Sequence, residues 1–406
     1  MHQFEVVPGG GVASAQGFKA CGVAAGIKYP GRMDVAMVAG DKPCAVAGMF
    51  TTNRVAAAPV LVDRERVKGG CARAILINSG CANACTGEQG VADAKESARA
   101  VASAMDVPQE QILVCSTGVI GAYLPMERLA AGAKAAVAAL SPAGGADAAR
   151  AIMTTDLVPK EAAVALDIDG RRVVIGGMCK GSGMIEPRMA TMLAFVTTDA
   201  NIGPQALDTA LRAAVEKTFN RAVVDGDQST NDTILMMASG RAGAPRTPLT
   251  PEHPQWPDFC AALREVCDRL ARMVVMDGEG ATKFVTVRVA GARTERDAQL
   301  AARSIAKSAL VKTSWFGCDP NWGRVMCAAG YSGAEVDDQK AQVFYGVECV
   351  FDHGKVVMRD RARVQDVMRQ REFEVVVNLN LGDGEDTVYT CDFSYDYVKI
   401  NGDYTT

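Results

Sequence analysis

Histidine is scarce in this sequence, and its scarcity removes several kinds of active site. The 406 residues contain three histidines, His2, His253 and His353, which stand far apart and form no HExxH motif. A Ser-His-Asp hydrolase needs a positioned histidine, and catalytic zinc is usually held by histidine ligands. The chain also has no CxxC pair that could bind zinc. We therefore expect no metal, and an enzyme built from this chain must find its general base elsewhere.

The signals for nucleotide and nucleic-acid binding are missing as well. No GxGxxG or Walker sequence occurs, so neither a dinucleotide site nor an ATP site is supported. With 43 basic and 47 acidic residues the net charge is -4, which does not attract nucleic acid or an anionic membrane. We expect no nucleic-acid partner.

Long apolar runs are also absent. No stretch approaches the length that spans a bilayer, and the first residues, MHQFEVVPGGGVASAQG, lack the basic start and apolar core of a secretory signal. The 13 cysteines are odd in number and scattered, which is typical of reduced thiols. These features predict a cytoplasmic protein without a membrane partner.

The apolar residues are numerous enough for a large core. Hydrophobic residues make up 49% of the 406 residues, which predicts a globular protein of two domains. The pattern changes near residue 285, where strands with alternating apolar residues begin. We place one domain at 1-285 and a second, smaller one at 286-406.

Amphipathic patterns and turn signals predict a mixture of helices and strands. Asp169-Gly170 lies between two apolar runs and predicts a two-residue β-hairpin. The polar run Ile77–Gly87 predicts a loop, and residues 1–70 predict short strands and turns. Trp315 and Trp322 are expected to pack rather than to stack on a nucleotide. The predicted helices are Val91–Met105, Pro125–Leu140, Pro204–Phe219, Phe259–Met276 and Glu295–Leu310.

The run Gly176–Ala200, GGMCKGSGMIEPRMATMLAFVTTDA, differs from ordinary globular sequence. Its second half has the apolar and β-branched content of a buried strand, and a glycine-rich, charged loop from Lys180 to Pro187 precedes that strand. Thr191 stands at the junction. A threonine at the head of a strand usually only packs, so a purely structural interpretation stays open. The glycines nevertheless allow a carbonyl to approach the hydroxyl closely.

Self-cleavage is the alternative interpretation of this junction. Attack of the Thr191 hydroxyl on the Ala190 carbonyl would convert the peptide bond into an ester, which water would hydrolyse. The new chain would begin at Thr191, and its α-amine, with a pKa of about 8, could take the proton of its own hydroxyl. A threonine paired with its own amine is an activated nucleophile that needs no histidine.

Several motifs resemble those of one known family. KGSGMIEPRMATMLAF is similar to the signature of the ornithine acetyltransferase family, the glutamate N-acetyltransferases, whose precursors cut themselves before the threonine of ATML. The resemblance covers nearly the whole chain. Cys81 is a departure, because it stands where the family has an asparagine, and it would weaken any ligand contact made there. The other motifs, in family order, are INSGCANACTG, STGVIG, MTTD, NRAVVDGDQSTNDT, DGEGATK, GCDPNWGR and INGDYTT.

The resemblance implies a fold and an activity. The fold is the α/β sandwich shared with self-processing aminopeptidases of the DmpA type, followed by a smaller α/β C-terminal domain. The activity is transfer of the acetyl group from N2-acetyl-ornithine to glutamate in arginine synthesis, without a cofactor. Some members also accept acetyl-CoA as a donor, and we expect that second activity here. The two cleaved chains, alpha and beta, are expected to assemble as two copies of each.

The resemblance also assigns roles to individual residues. Cleavage between Ala190 and Thr191 would free Thr191 as the nucleophile. Thr117 and Gly118 would form the oxyanion hole, although a hydroxyl and a glycine after a strand also make a common tight turn. The expected substrate contacts are Thr154 or its neighbour Thr155, Lys180, Thr191, Glu279, Asn401 and Thr406.

The charges of the substrates suggest which groups Lys180 and Glu279 bind. Both amino acids carry an α-carboxylate, and ornithine adds a side-chain ammonium. An unpaired charge in a buried site is strongly unfavourable. We therefore expect Lys180 to bind a carboxylate and Glu279 to bind the ammonium.

Two rival functions and one rival site stay open at this point. A hydrolase of the same fold would use Thr191 but would pass the acyl group to water. A non-enzymatic amino-acid-binding protein would leave Thr191 inert and the chain uncut. Asp225 and Asp227 could bind a divalent metal or turn the chain. The turn is favoured, because apart from Asp232 no third ligand stands at a suitable spacing.

Overall fold

The computed structural model describes residues 4–186, 192–243 and 248–403, which form a mixture of strands and helices. The strands are β1 Phe4–Val6, β2 Phe18–Val23, β3 Val35–Phe50, β4 Cys71–Cys81, β5 Ile112–Val119, β6 Lys160–Ile168, β7 Arg171–Lys180, β8 Leu193–Thr198, β9 Ala222–Val223, β10 Thr233–Ala238, β11 Phe284–Ala292, β12 Gln342–Tyr345, β13 Glu348–Asp352, β14 Lys355–Val356, β15 Glu372–Asn378 and β16 Gly384–Cys391. The helices are α1 Ala58–Val67, α2 Gly87–Met105, α3 Met126–Ala139, α4 Gly145–Ala151, α5 Pro204–Glu216, α6 Trp256–Met276, α7 Glu295–Lys307, α8 Ala309–Phe316, α9 Trp322–Gly330, α10 Arg361–Arg369 and α11 Tyr395–Asp403. In the described ranges no helix has the length and apolar character needed to cross a bilayer.

The described residues divide into two compact units. The first unit comprises the chain up to Asn220 together with Asp227–Val274. The second comprises Arg221–Gly226 together with the chain from Val275 onward. The predicted division into domains 1-285 and 286-406 stays a prediction.

A nine-stranded sheet forms the centre of the first unit. Its strand order is β1-β6-β7-β8-β10-β3-β4-β5, with β2 also paired to β3. The pairs β8·β10 and β4·β5 are parallel, and the other pairs are antiparallel. Parallel strands end at the same edge, so the C-terminal ends of β4 and β5 lie side by side.

Both faces of this sheet are covered, as its long apolar runs require. Val35, Met37 and Ala39 of β3 pack in one cluster with residues of α1, α2 and α3. The alternate residues Ala36 and Val38 pack on the opposite face, in a cluster that includes α4. The predicted α/β class is confirmed, because sheet and helices share both cores.

The predicted hairpin at Asp169-Gly170 is confirmed. Asp169 has φ 52° and Gly170 has φ 73°, so both central residues adopt the positive φ that a tight two-residue turn demands. Gln255 fastens the turn, since its side chain accepts from the Asp169 amide at 2.8 Å and donates to the Asp167 carbonyl at 3.0 Å. This turn starts β7, the strand that ends at Lys180.

The local predictions for β4 and α1 were wrong. β4 continues through the polar residues to Cys81, where a loop was expected from Ile77. The strand persists because its polar side chains are bonded: Ser116 of β5 donates to Asn78 at 2.7 Å. Helix α1, Ala58–Val67, was expected to be strand and turn. The charged residues of this segment obscure its helical apolar pattern in the sequence. Pro59 in its first turn is nevertheless a known helix-start signal.

The second unit has a seven-stranded sheet in the order β14-β13-β12-β15-β11-β16-β9. Along β11, Val285, Val287 and Val289 are fully buried in a core with α7, whereas Thr286 and Arg288 face the other side and are only partly buried. The predicted packing of the tryptophans is confirmed. Trp315 is fully buried edge-on against Phe373, and Trp322 stacks on Phe351 with ring centroids 4.7 Å apart.

Candidate active site

The paired ends of β4 and β5 bring two glycines together. Gly80 lies opposite Gly118 in the parallel register, with φ 97° and 130° respectively. A β-carbon on Gly118 would lie 2.6 Å from the backbone nitrogen of Cys81, which is closer than real side chains come. Only glycine therefore fits at Gly118, and the predicted oxyanion-hole residue lies where two backbones meet.

Three amide and hydroxyl side chains hold these strand ends. Asn78 donates to the Cys81 carbonyl at 2.9 Å and accepts from Ser116 at 2.7 Å. Asn231 donates to the carbonyls of Ala82 and Ser116 at 2.6 and 2.9 Å. Sequence reasoning assigned no role to Asn231, because a polar residue in the run DQSTNDT is more often a turn former.

Cys81 is buried beside this network. Its thiol donates to the Ala122 carbonyl at 3.3 Å, and burial raises the pKa of the thiol. The thiol is therefore protonated and engaged with the backbone. Its predicted effect on a ligand contact stays a prediction.

Lys180 and Thr117 lie next to each other in the first unit. Lys180 is the last residue of β7 rather than part of the following loop, and it pairs with Leu193 of β8. Its Nζ donates to the Thr117 Oγ1 at 3.5 Å, and both residues are buried. A cation and a hydroxyl thus meet at the end of β5.

Asp156 connects the Thr154 turn to the end of β7. Its carboxylate accepts from the Thr154 amide at 3.1 Å, from the Gly181 amide at 2.8 Å and from the Lys160 ammonium at 2.7 Å. Arg32 holds the same turn by donating to the Thr154 carbonyl at 3.1 Å. Sequence reasoning gave no role to Asp156 or Lys160. An aspartate and a lysine four residues apart, directly before an apolar strand, were the available signal.

The segment that follows Gly181 is strained. Ser182 has φ 106° and Met184 has φ 62°, conformations that residues with a side chain rarely adopt. Ser182 is also almost completely buried. Ala190 and Thr191, the predicted cleavage residues, lie outside the described residues. The described chain resumes at Met192, whose carbonyl accepts from the Thr233 amide at 3.0 Å.

In the second unit the structure brings Glu279 and Asn401 together. The Asn401 Nδ2 donates to the Glu279 Oε2 at 2.8 Å. Glu279 is buried and Asn401 lies on α11, an ordered helix where a frayed terminus is the default expectation. Thr406 lies outside the described residues.

Three further contacts fasten the chain before α11 to the loop that carries Glu279. Asp392 accepts from the amides of Thr282 and Lys283 at 2.8 and 2.9 Å. Ser394 donates to the Gly280 carbonyl at 2.6 Å. Gly280 has φ 66°, and a side chain there would meet the backbone of α11. The glycine therefore permits the tail to pack against the loop.

Comparison with known proteins decides the family. The sequence model of the ArgJ family matches residues 19–406. The chain belongs to the ArgJ family. It is 51% identical over 399 residues to the arginine biosynthesis bifunctional protein ArgJ of Symbiobacterium thermophilum, covering 98% of this chain and 99% of that one. A protein of the same name from Geobacter sulfurreducens is 50% identical over 394 residues, covering 97% of this chain and 100% of the relative.

A solved structure agrees with the sequence matches. The crystal structure of ArgJ from Bacillus halodurans is 43% identical to this chain with a TM-score of 0.51, covering 53% of this chain and 100% of that one. The resemblance to the ornithine acetyltransferase family is therefore confirmed, and so is the mixed α/β fold that it implied.

In this ArgJ family member the predicted site residues fall into three groups. Thr117, Gly118, Thr154 and Lys180 lie near one another in the first unit, through contacts at Thr117 and Asp156. Glu279 and Asn401 touch in the second unit. Ala190, Thr191 and Thr406, the predicted cleavage residues and the predicted terminal contact, lie outside the described residues. The substrate-binding roles of all of them stay predictions.

Metal ligation has no support in the part of the chain that the structure describes. There, no three histidine, cysteine, aspartate or glutamate side chains are grouped so as to hold a metal ion. The 13 cysteines are free, and most are buried or half-buried. Burial raises the pKa of Cys115 well above its usual range, which is typical of a thiol that only packs.

Proposed function

We propose that this chain transfers the acetyl group from N2-acetyl-L-ornithine to L-glutamate, giving ornithine and N-acetylglutamate in arginine biosynthesis. Membership of the ArgJ family along residues 19–406 carries the proposal. The contact between Lys180 and Thr117 supports it, because it places a cation and a hydroxyl beside the glycine pair at the strand ends. The hydroxyl and the glycine amide are groups that stabilise a developing oxyanion, and the cation can pair with a carboxylate of the substrate.

The first step is self-activation. The Thr191 hydroxyl attacks the Ala190 carbonyl, the peptide nitrogen leaves as the amine of Thr191, and water hydrolyses the ester. Ser182 and Met184, whose backbone conformations are strained, precede this bond in the chain. The product carries a nucleophile and its proton acceptor on one residue.

The acetyl group then moves in two transfers. The Thr191 amine takes the hydroxyl proton, and the oxygen attacks the acetyl carbonyl of the donor. The Thr117 hydroxyl and the Gly118 amide donate to the oxyanion, ornithine leaves with the proton, and an acetyl-Thr191 ester remains. Glutamate enters and its amine attacks this ester. The bond to the Thr191 oxygen breaks, the proton of the glutamate amine passes through the Thr191 α-amine to that oxygen, and N-acetylglutamate leaves. The cycle is of the ping-pong type.

Lys180 and Glu279 pair the charges of the substrate. Lys180 is a buried cation and binds the α-carboxylate that both amino acids share. Glu279 is a buried carboxylate held by Asn401, and it binds the side-chain ammonium of ornithine. Thr154, Asn401 and Thr406 complete the set of substrate contacts.

A second activity follows from the relatives. The Symbiobacterium and Geobacter proteins are both named bifunctional. We propose that this chain likewise acetylates glutamate from acetyl-CoA through the same Thr191 ester. Release of the free CoA thiol in the presence of glutamate, measured with a thiol reagent, tests this activity.

We also propose that the cleaved alpha and beta chains assemble as two copies of each and act in the cytoplasm. Free cysteines throughout the chain suit a reducing compartment. Mass measurement under native conditions tests the assembly.

One pair of assays tests the main proposal. Purified protein is incubated with acetyl-ornithine, with and without glutamate, and acetylglutamate is expected only when glutamate is present. Accumulation of free acetate at the same rate with and without glutamate would favour a hydrolase. On a denaturing gel the native chain is expected to give two fragments and Thr191→Ala a single full-length band. Normal turnover by an uncut chain would contradict the mechanism.

A further inference from the structure

Asp156 and Lys160 form an ion pair that is completely removed from water. Their charged atoms are 2.7 Å apart, and both side chains have 0% exposure. By contrast, the pair Asp208–Arg212 on α5, which has the same spacing along the chain, is 38% and 58% exposed. Taking two charges out of water is strongly unfavourable, and an apolar pair of similar volume often stabilises a fold as well or better. The pair therefore needs an explanation beyond stability.

The hydrogen bonds of Asp156 supply that explanation. One carboxylate oxygen accepts from Lys160 and from the Gly181 amide, and the other accepts from the Thr154 amide. Lys160 also donates to the Val158 carbonyl at 3.1 Å, and this bond closes the turn between Asp156 and Lys160. The Asp156 carboxylate thus holds the backbone at both Thr154 and Gly181. Lys160 neutralises the negative charge of this carboxylate.

Both segments belong to the proposed site. Thr154 is a proposed substrate contact, and Gly181 directly follows Lys180, whose Nζ reaches Thr117. Gly181 also begins the strained segment that leads toward the proposed cleavage bond. The far side of that segment is fixed in the same sheet, because Leu193 pairs with Lys180. The Asp156 carboxylate therefore determines where the cleavage segment begins.

We propose that Asp156, with Lys160 as its charge partner, is a positioning residue for both self-cleavage and substrate binding. It acts through the backbone of Gly181 and Thr154 and not by contact with the reacting atoms. The proposal rests on the function proposed above, but cleavage and acetyl transfer are measured separately. A failure of acetyl transfer in the native protein would therefore leave the cleavage measurement intact.

The experiment compares three variants with the native protein. Asp156→Asn keeps the shape but turns one acceptor into a donor, which then faces either Lys160 and the Gly181 amide or the Thr154 amide. The double variant Asp156→Leu with Lys160→Met removes both charges and leaves an apolar pair. Asp208→Asn breaks the exposed ion pair of equal spacing and serves as the matched control. Each protein is followed by the rate of self-cleavage on a denaturing gel, by kcat and KM of the cleaved fraction, and by its melting temperature.

We expect both Asp156 variants to cleave slowly and to show a raised KM for acetyl-ornithine, each by roughly tenfold to a hundredfold, because a displacement near 1 Å has effects of this size. The double variant is expected to keep a native melting temperature. A purely structural role predicts the same melting temperature, so the cleavage rate and KM decide between the two roles. Native cleavage and KM in either folded variant would overturn the proposal. Loss of folding in both would assign the pair to the core alone and would overturn it equally.

Discussion

At the level of single residues, Gly118 leaves no room for a side chain. A methyl group there would collide with the backbone of Gly80 and Cys81. Relief of the collision must separate the ends of β4 and β5, which displaces the amide proposed to donate to the oxyanion. We expect Gly118→Ala to lower kcat of acetyl transfer by about 10²-fold to 10³-fold, the usual effect of losing one such donor. Steady-state kinetics on the purified variant measure this.

A second glycine provides the control for Gly118. Gly203 precedes α5 with φ -79°, and a side chain there would meet no atom within 4 Å. Gly203→Ala should therefore retain native kcat. An equal loss of kcat in both variants would show that the effect at Gly118 is not local.

Asp63 makes the stability of the first unit depend on pH. It is almost completely buried on α1, where both carboxylate oxygens accept from the Val114 amide at 3.1 Å. Burial raises the pKa of this carboxyl well above its usual range, partly opposed by the Val114 amide and by Arg66. The stability that the neutral carboxyl contributes is fully present below the unfolded pKa of about 4, and it is lost as pH rises through the folded pKa.

Asp63→Asn removes this titration while keeping the shape of the side chain. The melting temperature of the variant relative to the native protein should therefore increase as pH rises from acid to neutral. Thermal unfolding at a series of pH values measures the difference. A difference that stays constant over the whole range would contradict the assignment.

The sequence allowed the prediction of residues that stand in unusual motifs, but not of those that support them. Gly118, Lys180 and Glu279 lie in STGVIG, KGSGMIEPRMATMLAF and DGEGATK, stretches that match motifs of the family. Asp156 and Asn231 lie in short polar runs that look like solvated turns. Their importance depends on burial and on partners distant in the chain, and sequence patterns do not report either.

At the level of elements, helices with a clear apolar stripe could be predicted closely. The expected helix Phe259–Met276 differs from α6 by three residues at its start, because Trp256 and Pro257 add a first turn. β4 could not be predicted to its end, since Asn78 and Ser79 favour turns when their partners are unknown. Periodicity identifies the faces of an element, whereas side-chain hydrogen bonds decide where it stops.

At the same level, helix α11 allows a prediction about its contact with Glu279. Asn401 holds the Glu279 carboxylate by one hydrogen bond at 2.8 Å on an exposed helix. Losing such a bond costs about 1 kcal/mol, or roughly fivefold in an equilibrium constant. We expect Asn401→Ala to raise KM for acetyl-ornithine by about this factor, as steady-state kinetics would record. Lys399→Ala, on the exposed surface of the same helix, should behave as the native protein does.

At the level of the whole molecule, the strand order of the first unit determines how the cleaved chains stay together. A cut at Ala190-Thr191 falls between β7 and β8. The strands β8 and β10 then belong to the second fragment, and they lie between β7 and β3 of the first. Each fragment is thus hydrogen-bonded to the other along two strand pairs, β7·β8 and β10·β3.

We therefore expect the two fragments to remain one particle after cleavage. They should co-elute in gel filtration and separate only in denaturant, where the sheet is lost. Native mass measurement before and after cleavage provides the check. Free fragments in native buffer would contradict the described strand order.

The interleaved sheet also constrains the order of events in the life of the chain. A polypeptide severed before folding would present two pieces whose missing neighbours lie on the other piece. We therefore expect scission at the proposed bond to follow folding, after β8 has taken its place between β7 and β10. On this expectation the proposed nucleophile would arise only in molecules that have completed the sheet, and misfolded copies would stay uncut and inactive.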